Sequence, residues 1–187
     1  MNRPAAQPRL SLEEYLALEE RSEVRHEYLG GHVYAMSGAS KRHNLIVGNL
    51  VFALRSVARV PPCRIYSEAV KLRAAPNVIY YPDVMVACGP DNGDPLIEDA
   101  PCLLVEVVSP GTERTDRFEK RLAYRQIPTL LAYLIVDRET RQVERHWREP
   151  QGPWQSEVIS GTGRLPLPCP PGELALDEVY AGALDPS

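Results

Sequence analysis

Leu103-Leu104-Val105-Glu106-Val107-Val108 is the stretch on which the fold turns. Aliphatic residues occupy both phases of its alternation, which describes a strand covered on both faces, the pattern of a sheet interior rather than an edge. Cys102 extends the strand at its start, and Pro110-Gly111 closes it. A strongly charged helix is predicted next, from about Glu113 to Gln126, stopped by Pro128. Leu130 to Asp137 and Gln142 to Arg148 follow as a strand pair. Upstream, strands are predicted over Arg64 to Arg73 and Val78 to Ala87, with a loop rich in Gly, Pro, Asp and Asn from Gly89 to Pro95. Helices that precede and interrupt the strands give the class α/β or α+β, a mixed central sheet flanked by helices.

Further out, Ser11 N-caps a helix whose third residue, Glu14, completes a capping box. The run from Glu27 to Met36 alternates on either side of Gly30-Gly31, the signature of a tight hairpin. A second helix is predicted from about Ser40 to Arg59, with Val47, Leu50, Leu54 and Val57 on one face and Pro61-Pro62 as its stop. Trp154 to Ile159 reads as an edge strand and Leu176 to Tyr180 as a closing turn of helix. There is no internal repeat and no linker between two cores. The 187 residues are therefore expected to form a single domain, with a core over about 11–180 and a loose start over 1–10.

With 44% hydrophobic and 25% charged residues, the composition is that of a globular chain and excludes disordered or fibrous classes. The longest apolar runs fall short of the ~20 residues a bilayer requires. Met1-Asn2-Arg3-Pro4 leads into polar sequence, so no secretory signal and a cytoplasmic location are expected. Cys63, Cys88, Cys102 and Cys169 form no C-x-x-C pair and are expected to be reduced. His26, His32 and His146 lack metal-ligand spacing, which disfavours zinc. A net charge of -4 argues against broad attraction to nucleic acid and leaves room only for a local basic patch. Of the 21 basic residues only Lys41, Lys71 and Lys120 are lysine, so a lysine near carboxylates stands out.

Glu106 is such a carboxylate, set inside a run suited to complete burial. An ionised acid there costs several kcal/mol unless it is paired, hydrogen-bonded or bound to metal. Tyr80-Tyr81-Pro82-Asp83-Val84-Met85-Val86 repeats the arrangement. Either the two acids end solvated at the sheet rim, or they converge. On the helix that follows, Asp116, Lys120 and Tyr124 are spaced i, i+4, i+8 and share one face. That face could be a solvated surface pair, or it could return a long lysine to the end of the strand bearing Glu106.

Asp83, Glu106 and Lys120 in this order resemble the PD-(D/E)XK nuclease superfamily, with Pro82-Asp83 and Glu106-Val107-Val108 at its motif positions. Val108 stands where the superfamily's lysine usually does, so Lys120 would be a lysine migrated onto the helix. That migration looks like the Uma-two family of restriction-endonuclease-like proteins. So do Glu27-Tyr28-Leu29-Gly30-Gly31, the His43 region, Leu104-Val105-Glu106-Val107-Val108-Ser109-Pro110, Asp116-Arg117-Phe118-Glu119-Lys120 with Tyr124, and Tyr133-Leu134-Ile135-Val136-Asp137. The resemblance implies a restriction-endonuclease-like fold and Mg²⁺-dependent phosphodiester hydrolysis, with Mn²⁺ a possible substitute, on nucleic acid, foremost DNA. A homodimer is expected on other grounds: a duplex has two scissile bonds, which a two-fold dimer can address, and the proline-rich stretch around Leu165 to Leu176 reads as a tail with apolar residues left uncovered in a monomer. Asp83, Glu106 and the Val107 carbonyl would hold the metal and Lys120 would act in catalysis. Glu27, His43, Asp116 and Tyr124 stand second to these. The alternative is a protein that keeps the fold and binds DNA or a protein partner without cutting.

Overall fold

The computed structural model describes residues 9–58, 63–108 and 114–184, the last without the side chains of 114–118. Most of the loose start expected over 1–10, the Pro61-Pro62 stop and the Pro110-Gly111 closure lie outside the described residues. The helices are α1 (Leu12–Glu19), α2 (Lys41–Val57), α3 (Arg114–Arg125) and α4 (Leu176–Val179). The strands are β1 (His26–Leu29), β2 (His32–Ala35), β3 (Arg64–Ser67), β4 (Lys71–Ala75), β5 (Val78–Tyr80), β6 (Val84–Ala87) and β7 (Ile97–Glu98), then β8 (Leu103–Val108), β9 (Ala132–Asp137), β10 (Gln142–Trp147), β11 (Gln155–Ser160), β12 (Arg164–Pro168) and β13 (Pro171–Ala175).

All six residues of β8 are buried, as the aliphatic run requires, and the strand sits inside a mixed sheet ordered β11-β10-β9-β8-β6-β3. It runs parallel to β9 and antiparallel to β6. Its two faces separate two cores. Leu103, Val105 and Val107 meet Ile46, Leu50 and Leu54 of α2 together with Leu165, Leu174 and Leu176. Leu104 and Val108 meet Tyr124 and Ile127 at the end of α3, with Leu72 and Tyr80 of the second sheet. That sheet is ordered β2-β1-β5-β4-β7. At its hairpin Gly30 and Gly31 have φ of 56° and 100°, the left-handed backbone that a two-residue turn needs and that glycine adopts without strain.

Two expectations are corrected by the path of the chain. The strand expected over Arg64 to Arg73 is broken into β3 and β4, and that over Val78 to Ala87 into β5 and β6. In each case the first half and the second lie in different sheets, so each of these two runs contains a crossing between sheets. Pro82, which cannot donate to a ladder, sits at the second crossing. The first carries no glycine or proline; it is turned by Glu68, which adopts φ 52°.

The cysteines expected to be reduced are instead joined, Cys63 to Cys88 and Cys102 to Cys169. Their pairing depends on neighbours 25 and 67 residues apart, which local spacing does not reveal. The proline-rich stretch around Leu165 to Leu176 is also not an uncovered tail. It forms the β12–β13 hairpin, whose Leu165, Leu167 and Leu174 belong to the core.

Candidate active site

The two crossings and the end of β8 meet. Val84 pairs with Val105, so continuing that register by one residue sets Asp83 beside Glu106. The Asp83 Oδ2 accepts the Val107 N–H at 2.6 Å, which ties the loop before β6 to β8. At the other crossing the Glu68 N–H donates to the Asp83 carbonyl at 3.2 Å.

Glu106 is 7% exposed. Its Oε1 accepts the Tyr124 hydroxyl at 2.7 Å and lies 3.5 Å from the Lys120 Nζ. Burial raises its pKa to about 8; Lys120 opposes the shift, and the charges of Asp83 and Glu27 add to it. The same burial pushes the Tyr124 hydroxyl well above the usual tyrosine range, so it stays a donor. Lys120 and Tyr124 are one helical turn apart on α3, and both reach the same carboxylate oxygen because that face of the helix lies over β8.

Lys120 also lies 2.7 Å from the Glu27 Oε1, and its Nζ stands 5.4 Å from the centre of the Tyr80 ring. Glu27 comes from β1, where it is 9% exposed rather than the solvated hairpin acid its position next to Gly30-Gly31 would suggest. One lysine is thus shared between two buried acids from different sheets.

His43 lies in the first turn of α2, which Ser40 caps by accepting the His43 N–H at 3.2 Å. The ring is also largely buried. Its Nε2 is 3.2 Å from the Asp83 Oδ1 and 3.7 Å from the Glu68 Oε1. The hydrogen bond to Asp83 raises its pKa against the opposing effect of burial. One donor atom each from His43, Glu68 and Asp83 falls within 4.8 Å of the others, close enough to hold a metal ion.

Of the residues singled out in the sequence, Asp83, Glu106, Lys120, Glu27, His43 and Tyr124 come together, and Val107 contributes the N–H that links the two acids' segments. The Asp116 side chain lies outside the described residues. Glu68 escapes the sequence reading, because Arg64-Ile65-Tyr66-Ser67-Glu68-Ala69-Val70 contains no residue that marks a break and Glu68 reads there as one strand position among others. Among the described residues, the carboxylates Glu27, Glu68, Asp83 and Glu106 gather with Lys120 and His43, and Arg138 is near enough to act on the histidine. The arrangement has oxygen donors, excess negative charge and an ammonium able to meet an anion.

The Uma2 family, described as "Putative restriction endonuclease", matches residues 12–177. The uncharacterized protein slr1290 of Synechocystis sp. is 35% identical over 177 residues, which cover 94% of this chain and 93% of that protein. A second uncharacterized Synechocystis protein, sll1609, is 31% identical over 157 residues, 81% of this chain and 88% of its own length. The crystal structure of an Anabaena variabilis protein, described as a "putative nuclease belonging to DUF820", superposes with a TM-score of 0.74 at 20% identity, covering 94% of this chain and 99% of that one. That likeness establishes the shared fold.

Proposed function

The chain belongs to the Uma2 family of restriction-endonuclease-like proteins, and from that membership and the site's geometry we propose that it is a metal-dependent endonuclease hydrolysing phosphodiester bonds in DNA. The observation that carries this reading is the convergence of Asp83 and Glu106 with Lys120, which reaches back from α3 to within 3.5 Å of Glu106. The donor set suits a hard divalent cation. The donors are carboxylate oxygens, and Glu106 is held from ionising by burial and by the neighbouring charges, a surplus that a cation would relieve. Asp83, Glu106 and the Val107 carbonyl are the groups that would hold Mg²⁺, or Mn²⁺ in its place. When bound, the ion would polarise a phosphate and lower the pKa of a water molecule.

The protein's own groups divide the remaining work. Lys120 orients the attacking water and offsets charge on the phosphate, while Glu27 and Tyr80 hold its ammonium in place. Tyr124 fixes one oxygen of Glu106. His43 contacts Asp83, and Arg138 is close enough to lower its pKa; Lys41 and Arg42 open α2, so a phosphate reaching His43 would enter a neighbourhood of basic residues, of which Arg42 and Arg138 pair with Glu139. Because cutting a duplex breaks two bonds, the active form is a two-fold homodimer.

The test is a cleavage screen on plasmid, linear, branched and single-stranded DNA with Mg²⁺ or Mn²⁺, with EDTA as control and RNA as a competing substrate. Metal-dependent cutting that Asp83→Asn abolishes is the expected result. Binding of metal and DNA with no cutting of any substrate would instead identify a protein that retains the fold and only binds.

A further inference from the structure

The four cysteines of the chain come from four separate segments and meet at one place. Cys63 and Cys88 lie one residue beyond the Arg64–Ala87 pair of β3 and β6, facing each other across the ladder. Cys102 directly precedes β8, and Cys169 sits in the turn of the β12–β13 hairpin. The bonds run within each pair, yet the sulfurs of Cys88, Cys102 and Cys169 all lie within 4.8 Å of one another, and that of Cys63 is bonded to Cys88. The β6–β8 register, with Val86 opposite Leu103, sets Cys88 beside Cys102, and the hairpin turn brings Cys169 to both.

A single tetrahedral ion needs such an arrangement. With Zn–S near 2.3 Å, ligand sulfurs stand about 3.8 Å apart, a spacing within reach of the Cys88, Cys102 and Cys169 sulfurs, which lie within 4.8 Å of one another, once the bonded pairs part. No histidine or carboxylate joins the group among the described residues, and an all-sulfur donor set selects zinc over the hard cations suited to Asp83 and Glu106. We propose that these four cysteines are one soft-metal site, which in the reduced protein binds a single Zn²⁺ through four thiolates. The disulfides are the alternative closure of the same sulfurs.

The site occupies the far end of the strands that carry the candidate active site. Asp83 precedes β6 and Cys88 follows it, five residues and roughly 16 Å along the strand. An ion there would bind β3, β6, β8 and the hairpin together without entering the catalytic cluster. A phosphine reduces each disulfide, taking oxygen from water to become its oxide and leaving two thiols. Zinc then displaces up to four thiol protons.

The chain should be reduced with a phosphine without oxygen and titrated with Co²⁺, followed by Zn²⁺. The expected result is one cobalt per chain, with the strong visible bands and near-ultraviolet sulfur-to-cobalt charge transfer of a tetrahedral tetrathiolate, displaced by zinc. Asp83→Asn should keep these bands, which separates this site from the catalytic one, and Cys169→Ser should weaken or shift them. Should that variant fail to fold, Cys63→Ser, at the less buried pair, gives the same readout. If the reduced chain unfolds without metal, zinc should restore its melting transition. A reduced, folded chain that presents four reactive thiols and no cobalt–thiolate absorption, or an unfolded one that zinc does not rescue, overturns the proposal.

Discussion

Glu106 has an ordinary carboxyl value of 4.5 when the chain is unfolded and one near 8 when it is folded. Between the two, the folded state keeps a proton that the unfolded state has lost. The resulting contribution to stability is complete below about pH 4.5 and disappears as pH rises toward 8. In EDTA, wild type should therefore lose melting temperature relative to Glu106→Gln as pH is raised from about 5 to 8, and Mg²⁺ should close the gap at the upper end by binding only the folded wild type. Parallel curves for the two proteins would show that the carboxyl is not perturbed. Lys120→Met tests the neighbouring group. Under single-turnover conditions cleavage should fall by roughly 10²–10⁴-fold with substrate affinity little changed, since the lost contact is with charge developing in the transition state. The variant should also melt lower at pH 8 than at pH 6, because without the ammonium Glu106 is held protonated still more firmly, and across that range the folded chain keeps a proton that the unfolded chain has lost. A surface ion pair would give normal cleavage and ~0.5 kcal/mol or less, but the Lys120 side chain is 12% exposed.

At the scale of elements, α2 does two things. Its apolar face packs against β8, and its capped first turn sets His43 over Asp83. Ser40→Ala removes the side chain that accepts the His43 N–H and should cost about 1 kcal/mol, read as a lower melting temperature. If the cap also positions the ring, cleavage should weaken more than the loss of stability explains. The capping box of α1 and the apolar spacing of α2 were legible because they act within a few residues along the chain. The breaks at Glu68 and at Tyr81-Pro82-Asp83 were not, because both halves of each run suit a strand and only the competition between two sheets decides where the chain crosses. Those crossings place Glu68 and Asp83 next to each other.

For the whole molecule, the β12–β13 hairpin is part of the core. Leu174, 1% exposed, should cost about 2–5 kcal/mol when truncated to alanine, whereas a leucine on a loose tail would cost almost nothing. Chemical denaturation decides between them. The homodimer is checked by light scattering, with twice the chain mass expected at working concentration. A monomer at every concentration would leave each site to cut one strand at a time.

By its sequence alone, the chain already places β8 in a sheet interior and helices around a mixed sheet, and it singles out Asp83, Glu106 and Lys120, which the fold brings near one another. Burial pattern, capping residues and ordered motifs are local properties, read within a few residues. Long-range packing is what buries Glu27 so that it shares Lys120 with Glu106, gathers Glu68 and His43 at Asp83, and brings four scattered cysteines together. Each of these depends on residues far apart in the chain, whose juxtaposition is set by how two sheets and a hairpin pack to bury their apolar faces.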